Sequence, residues 1–285
     1  MEHPEYSISS LCRLGKVNKA AYYKWLKRPS NSNDELNHRL AELIKKLHQQ
    51  YPDMGYRRLR DMLDHEYHIR VNDKRILRIC RKLKIQSVVK NPHNCCTRPA
   101  VDPAYIAENI LNREFDADRP EQKWVTDVSE FKYGPDGDHI HKLYLSVILD
   151  LYGRIPVATV ISDHNDNKLV YDTFDQAIAK HPGAAPLFHS DRGYQYTSKG
   201  FHDRLEKAGM TQSMSRVAHC IDNGVMEGFW GILKREAYYG RRFKTKDELV
   251  NAIAKYINYY TYDRPQRNLG VKTPEEYVEN FEKAA

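Results

Sequence analysis

Residues 123–133 read KWVTDVSEFKY, residues 142–150 read KLYLSVILD and residues 155–161 read IPVATVI. The first alternates apolar and polar positions, the pattern of a half-buried strand, and the other two are short continuous apolar runs. Polar turns around Gly134–Gly137 and Gly153 separate them, so the spacing predicts three successive strands. Downstream, Leu169, Val170, Phe174 and Ile178 recur at helical spacing within Lys168–Lys180, and LFHS (187–190) is a short strand. A second helix is expected over Lys199–Ala208 and a further strand at TQSM (211–214). Helices then follow from about Asn223 to Tyr239 and from Lys246 to about Tyr260.

Three strands, then helix, strand, helix, strand and helix, make an α/β fold: a mixed sheet flanked by helices. This is the element order of the ribonuclease-H-like fold. Upstream the texture is all-α. Tyr6–Leu26 reads as two short helices around Gly15–Asn18, with Asn18 as N-cap of the second. That is the outline of a helix-turn-helix. Asp34 opens a helix with Leu36, Leu40, Leu43, Ile44 and Leu47 on one face. Two more are YRRLRDMLDHEY (56–67) and NDKRILRICRKLKI (72–85), the latter capped by Asn72 or Asp73. The division expected is a helix-turn-helix segment over 1–30, a basic helical region over 31–90, an extended proline-bearing linker over 91–120 and the α/β core over 121–285.

Charge follows the same division. The chain has 285 residues and a formal charge of +7. Residues 1–100 hold 21 Lys and Arg against 10 Asp and Glu, and the remainder holds 24 against 28. A basic front suits contact with a polyanion. Arg57 and Arg58 lie on one helix of that region, and Lys74, Arg75, Arg78, Arg81 and Lys82 on the next. So many cations on one helix exceed what solubility needs, and they are candidates for DNA phosphate contact.

The sequence has 41% apolar residues but no apolar run of about 18, which predicts a globular protein without a membrane span. Its start lacks the apolar stretch of a secretory signal, and its five cysteines are scattered. Reduced thiols in a cytoplasmic protein are the expectation. His93, Cys95 and Cys96 do not complete a zinc-ligand spacing. No nucleophile elbow or glycine-rich phosphate loop occurs.

Three carboxylates stand out by position. Asp127 sits mid-strand in WVTDVSEF, where an unpaired charge is costly to bury. Asp191 follows the strand LFHS, and strand ends are where ligands gather in α/β sheets. Glu227 lies early in the helix after Asn223. Singly, each reads as a solvent-facing, turn or surface acid. Together they come from three elements that converge at one edge of a ribonuclease-H-like sheet. Hard oxygen donors with open positions suit Mg²⁺ or Mn²⁺, and two such ions support phosphodiester displacement.

Thirty-five residues separate Asp191 from Glu227, the D-D-35-E spacing of insertion-sequence transposases and retroviral integrases. WVTDVSEF, HSDRGYQYTS, SMSR, DNGVMEGFWGILKRE and YINYYTYDRPQRNLGVKTPEEY occur in that order. They resemble the integrase-core motifs of the IS-three family of bacterial insertion-sequence transposases. AAYYKWLKRP, GYRRLRDML and VNDKRILRICRKLKI resemble that family's basic helical region, so the similarity runs from about Tyr6 to Tyr277.

The resemblance implies a DNA transposase in which Asp127, Asp191 and Glu227 hold two Mg²⁺ or Mn²⁺ ions. It implies Lys234, seven residues after Glu227, as a basic group meeting DNA, and Asn223 as a helix cap and possible substrate contact. It also implies double-stranded element ends and target DNA as partners, a homo-oligomer on DNA, and a bacterial, nucleoid-associated setting. The chain resembles the family's downstream reading-frame product, with the upstream product as a further partner. A DNA-binding regulator or inhibitor derived from a transposase is the alternative. Two departures touch loop detail: no glycine follows SMSR, and Gly224 stands where alanine is usual after the DN pair.

Overall fold

A computed structural model describes residues 6–27, 32–89, 105–216 and 220–283. The chain divides into two compact units, Met1–Leu59 with Val71–Gln86, and Arg60–Arg70 with Ser87–Ala285.

The helices of the basic region are α1 (Ile8–Leu14), α2 (Lys19–Leu26), α3 (Ser32–Gln50), α4 (Tyr56–Tyr67) and α5 (Asp73–Leu83). The expected caps form: Asn18 accepts from the Ala20 N–H and Asn72 from the Arg75 N–H. Leu40, Ile44 and Leu47 of α3 and Ile76, Ile79 and Cys80 of α5 are buried. α3 begins two residues ahead of Asp34, within the tolerance of any helix end.

The second unit is built on β1 (Lys123–Tyr133), β2 (His141–Asp150), β3 (Ile155–Ser162), β4 (Leu187–Ser190) and β5 (Thr211–Met214). Their spatial order is β3-β2-β1-β4-β5. β1–β2 and β2–β3 are antiparallel, as short turns require, whereas β1–β4 and β4–β5 are parallel. The parallel pairs need crossovers, supplied by α6 (Asn167–Lys180) and α7 (Lys199–Lys207). One face of the sheet packs Val125, Phe131, Leu145 and Val147 against α8 (Gly224–Leu233) and α9 (Lys246–Tyr262). The other packs Trp124, Ile148 and Phe188 against Val170, Phe174 and Phe201 of α6 and α7. This is the ribonuclease-H-like arrangement.

Three features depart from the sequence expectation. The helix expected over Asn223–Tyr239 is broken: α8 ends at Leu233 and a π-helical turn occupies Lys234–Tyr238. α10 (Pro274–Glu282) received no range from the sequence, although Thr273, Pro274 and Glu276 carry the capping-box signature in full. Residues 105–122 are irregular but packed. Leu111 is buried, its N–H donates to Ser213 Oγ, and the Met214 N–H donates to the Glu108 carbonyl. That stretch therefore covers the edge of β5. His93, Cys95, Cys96 and the first part of the expected linker lie outside the described residues. Among the described residues no helix is long and apolar enough to cross a membrane.

Candidate active site

The β1–β4 ladder pairs Val125 with His189 in parallel register. Two residues further along each strand path come Asp127 and Asp191, so sheet register alone sets the two carboxylates side by side. With a period of two, Asp127 shares the face of Val125 and Phe131, the face covered by α8. Asp127 Oδ2 accepts from the Trp230 indole N–H of α8 at 2.9 Å, and Oδ1 from the Val128 N–H at 2.8 Å. Asp191 Oδ1 accepts from the Gly193 N–H at 2.8 Å. A Cβ on Gly193 would stand 3.0 Å from that oxygen, which makes glycine the residue that lets the loop fold onto its aspartate.

Burial and the charge of Asp191 push the Asp127 carboxyl up to about 7, against the lowering effect of Trp230, Val128 and Lys234. Burial likewise raises Asp191, opposed by the Gly193 N–H. Beneath the pair lies buried Tyr196, its hydroxyl 3.2 Å from Thr126 Oγ1. Burial, then the charges of Asp127 and Asp191, keep its phenol protonated. Two desolvated acids facing each other form an electrostatically unfavourable pair that positive charge would relieve.

Glu227 does not join them. It is exposed in the first turn of α8, and among the described residues no three acidic, His or Cys side chains converge tightly enough to hold an ion. Its helix is nonetheless tied to the pair: Trp230 lies three residues on, along the same helix face. Lys234 lies at the site, half-buried, its Nζ 5.1 Å from the Phe131 ring centre. Burial lowers its pKa, and the charges of Asp127 and Glu130 oppose that shift.

Asn223 occupies the N-cap position of α8 but caps nothing with its side chain, which corrects the sequence expectation. The side chain is buried and donates Nδ2–H to the Thr126 carbonyl at 3.1 Å, one residue before Asp127. Held by its Nδ2–H, the side chain leaves Oδ1, the atom a cap would use, buried without a hydrogen-bond partner among the described residues. Residues 217–219, where the expected glycine is absent, lie outside the described residues.

Sequence reasoning gave no role to His189 or Asp222. His189 is fully buried between Ser213 Oγ (2.9 Å from Nδ1) and Ser215 Oγ (3.1 Å from Nε2). Burial depresses its pKa to about 4, against the pull of Asp222, so the ring is neutral and ties β4 to β5. Asp222 is fully buried and held below the ordinary carboxylate range, chiefly by Arg216. The signal available was buried polar type beside a strand end. Asp150, the acid that ends β2 opposite Trp124, accepts from the Trp124 indole and the Tyr152 N–H and takes no part in the pair.

In the basic unit, Lys74, Arg78, Arg81 and Lys82 are exposed and line one groove floored by Leu77. Arg75 is turned inward: its Nε donates to Asn37 and its Nη2 to Asn33, both at 2.8 Å, joining α5 to α3. Arg58 pairs with Asp53 at 2.7 Å, and Arg57 is exposed beside the Tyr56 ring.

An integrase-type core is what this sheet and its carboxylate-bearing parallel strands define. Family profiles described as integrase core domain match residues 117–220 and 227–280, and one described as HTH-like domain matches 35–93. InsK of insertion sequence element IS150 from Escherichia coli (strain K12) is 34% identical over 275 residues, covering 95% of this chain and 93% of InsK. The transposase InsF for insertion sequence IS3A of the same organism is 26% identical over 96% of this chain and 94% of InsF. Among solved structures, the simian T-cell lymphotropic virus intasome in complex with PP2A regulatory subunit B56 gamma aligns with a TM-score of 0.50 at 15% identity. It covers 82% of this chain and 72% of that one, and shows the shared fold. The chain belongs to the integrase-core DDE transposases of bacterial insertion sequences. Its HTH-like and integrase domains imply DNA binding, and a core of this class implies use of a divalent metal. The donor chemistry fits one: two hard carboxylates, mutually repelling and desolvated, with oxygen-only ligation.

Proposed function

We propose that this transposase cuts double-stranded DNA at the ends of its element and joins the freed ends to a target, with Asp127, Asp191 and Glu227 as its three catalytic carboxylates. The observation that carries the reading is the parallel β1–β4 register, which sets Asp127 beside Asp191 at a place where burial, and then the charge of Asp191, raise its carboxyl to about 7. Asp127 and Asp191 form the fixed part of a site for two Mg²⁺ or Mn²⁺ ions. Glu227, one helical turn from the Trp230 that holds Asp127, is the movable part.

When bound, divalent ions supply the charge that stabilises both the attacking and the leaving oxygen of a phosphodiester exchange. Trp230 orients Asp127, the Gly193 N–H orients Asp191, and Lys234 offers its ammonium to a phosphate at the same edge. Positioning and charge neutralisation account for the catalysis, without a covalent protein–DNA intermediate. Residues 1–30 and 31–90 form the DNA-holding front, with Lys74, Arg78, Arg81 and Lys82 on phosphates. Arg57 and Arg58 of α4 add further cations for phosphate contact, and Arg75 braces α5 against α3. Residues 91–120 connect this front to the catalytic region at 121–285. The active assembly is a homo-oligomer on paired element ends in the bacterial nucleoid, supplemented by the upstream reading-frame product.

The exposed position of Glu227 favours one competing reading, a DNA-binding regulator derived from a transposase. Cleavage and joining of DNA bearing the element's own ends, in Mg²⁺ or Mn²⁺, with wild type beside Glu227→Gln, separates the two. Activity in wild type and none in the variant supports the triad. Equal activity in both removes Glu227 from it, and silence in both, with the upstream product supplied, favours the regulator.

A further inference from the structure

Beside the carboxylate pair, two guanidinium groups converge on one buried acid. Asp222 accepts Nε–H of Arg216 on Oδ2 and Nη2–H on Oδ1, both at 2.8 Å, and the Arg216 backbone N–H on Oδ2 at 3.1 Å. Arg113 donates Nε–H to Oδ1 at 2.7 Å, and Asn109 Nδ2–H to Oδ2 at 3.0 Å. Asp222 has no exposed side-chain surface, while the Arg113 and Arg216 side chains are 42% and 45% exposed. One inner negative charge thus holds two outward positive ones, leaving a net unit of positive charge at the surface. Both terminal nitrogens of Arg113 and Nη1 of Arg216 make no hydrogen bond among the described residues.

The backbone around this cluster joins both strands of the site. Arg216 stands two residues past Met214, which pairs with Ser190 in the β4–β5 register, and the Ser215 N–H donates to the Ser190 carbonyl at 2.9 Å. Ser190 immediately precedes Asp191. On the other side, Asn223 follows Asp222 and donates to the Thr126 carbonyl, one residue before Asp127. Arg113 reaches Asp222 from a turn in which Asn112 (φ 41°) and Arg113 (φ 66°) are both left-handed. Consecutive non-glycine residues rarely adopt that backbone, and such strain gathers where a side chain must be held in a particular place.

We propose that Arg113 and Arg216, oriented by Asp222, form a phosphate-binding subsite that takes the DNA phosphodiester next to the one that reacts. The proposal rests on the transposase reading for the identity of its ligand. The planar guanidinium fork matches phosphate oxygens two at a time. A fork already fixed by a buried carboxylate loses little side-chain freedom when the anion arrives. A singly charged phosphodiester cancels the surplus charge of the cluster. The chemistry recognised is the phosphate oxyanion, which a free phosphate shares with a DNA backbone.

Two measurements on the full chain test this. Inorganic phosphate is titrated at physiological salt while the Nε–H resonances of Arg113 and Arg216 are followed by NMR, assigned with Arg113→Lys and Arg216→Lys. Both resonances should move together and saturably, and motionless resonances would overturn the subsite. In the second, element-end DNA carries one neutral methylphosphonate at each phosphate flanking the scissile one in turn, and binding is measured in Ca²⁺. Wild type should lose roughly tenfold in affinity or more at one position. The double Arg→Lys variant, checked for an unchanged melting temperature, should lose nothing further there. Phosphate binding without any sensitive DNA position would overturn the assignment to DNA. Failure of the Glu227→Gln comparison would reject the catalytic reading and leave the phosphate titration standing, so the two failures are distinguishable.

Discussion

The Trp230 indole N–H donates to Asp127 Oδ2 at 2.9 Å, tying the helix that carries Glu227 to the strand that carries the first aspartate. The bond stabilises the ionised form of Asp127 in a place where burial opposes it. Trp230→Phe keeps the ring packing and removes the donor. A hydrogen bond to a charged group contributes about 1.5–3 kcal/mol, so cleavage should fall by roughly 10- to 100-fold. Element-end binding measured in Ca²⁺ should be unchanged. A variant cleaving at the wild-type rate would show that the indole only fills space.

The Asp127 carboxyl, raised to about 7 from an ordinary 3.8, makes the metal-free protein sensitive to pH in a definite direction. The folded state holds this proton more tightly than the unfolded chain. Its contribution is therefore present in full below about 4 and lost as pH rises through 7. Binding a divalent ion must displace that proton near neutrality. Calorimetry of Mg²⁺ binding at about pH 6.5, in two buffers of different ionisation enthalpy, should report proton release on the order of one per site. Mg²⁺ should also raise the melting temperature more at pH 8 than at pH 5.5. Buffer-independent heats would place the titration elsewhere.

The five strands and the helices between them were legible because each is a local pattern: period two in KWVTDVSEFKY, short apolar runs in β2 and β3, and 3.6-residue spacing in α6. The meeting of Asp127 with Asp191 followed from topology once β1 and β4 were neighbours. What stayed hidden depends on distant partners. Asn223 has a capping residue's chemistry, yet its side chain is turned to donate Nδ2–H to the Thr126 carbonyl, 97 residues away in sequence. Asp222 drew no role from the sequence because its partners Arg113 and Asn109 lie 109 and 113 residues upstream. The π turn at Lys234–Tyr238 has no local breaker such as proline, and the buried partner of its Glu236 is Arg264, 28 residues away.

The groove of α5 makes a salt-dependent prediction. Arg78 and Arg81 are exposed on it, whereas Arg75 is engaged by Asn33 and Asn37. If Arg78 and Arg81 each neutralise one DNA phosphate, Arg78→Ala with Arg81→Ala should reduce the slope of log K against log salt by about 1.8. Affinity should fall alike for element-end and unrelated duplexes, because phosphate contacts carry no sequence information. Arg75→Ala should instead lower the melting temperature. An unchanged salt slope in the double variant would move the DNA contact off this helix.

The ion pair behind the π turn gives the last prediction. Glu236 lies within that turn, and Arg264 donates to both its oxygens, Nε at 3.0 Å and Nη2 at 2.9 Å, with the Tyr256 hydroxyl on Oε2 at 2.9 Å. Both side chains are nearly sealed, at 7% and 10% exposed. Arg264→Met removes the guanidinium from a buried carboxylate and should cost about 3–5 kcal/mol, whereas removing both charges is commonly near neutral. Arg264→Met with Glu236→Leu should therefore recover most of the stability. Lys234 opens the same turn and sits beside Asp127. If the pair fixes the position of Lys234, the stable double variant should still cleave poorly, with kcat reduced and KM little changed. Full activity with restored stability would make Glu236 and Arg264 scaffolding alone. Reduced kcat in a well-folded protein would show that a π turn held by one buried ion pair sets where the lysine stands.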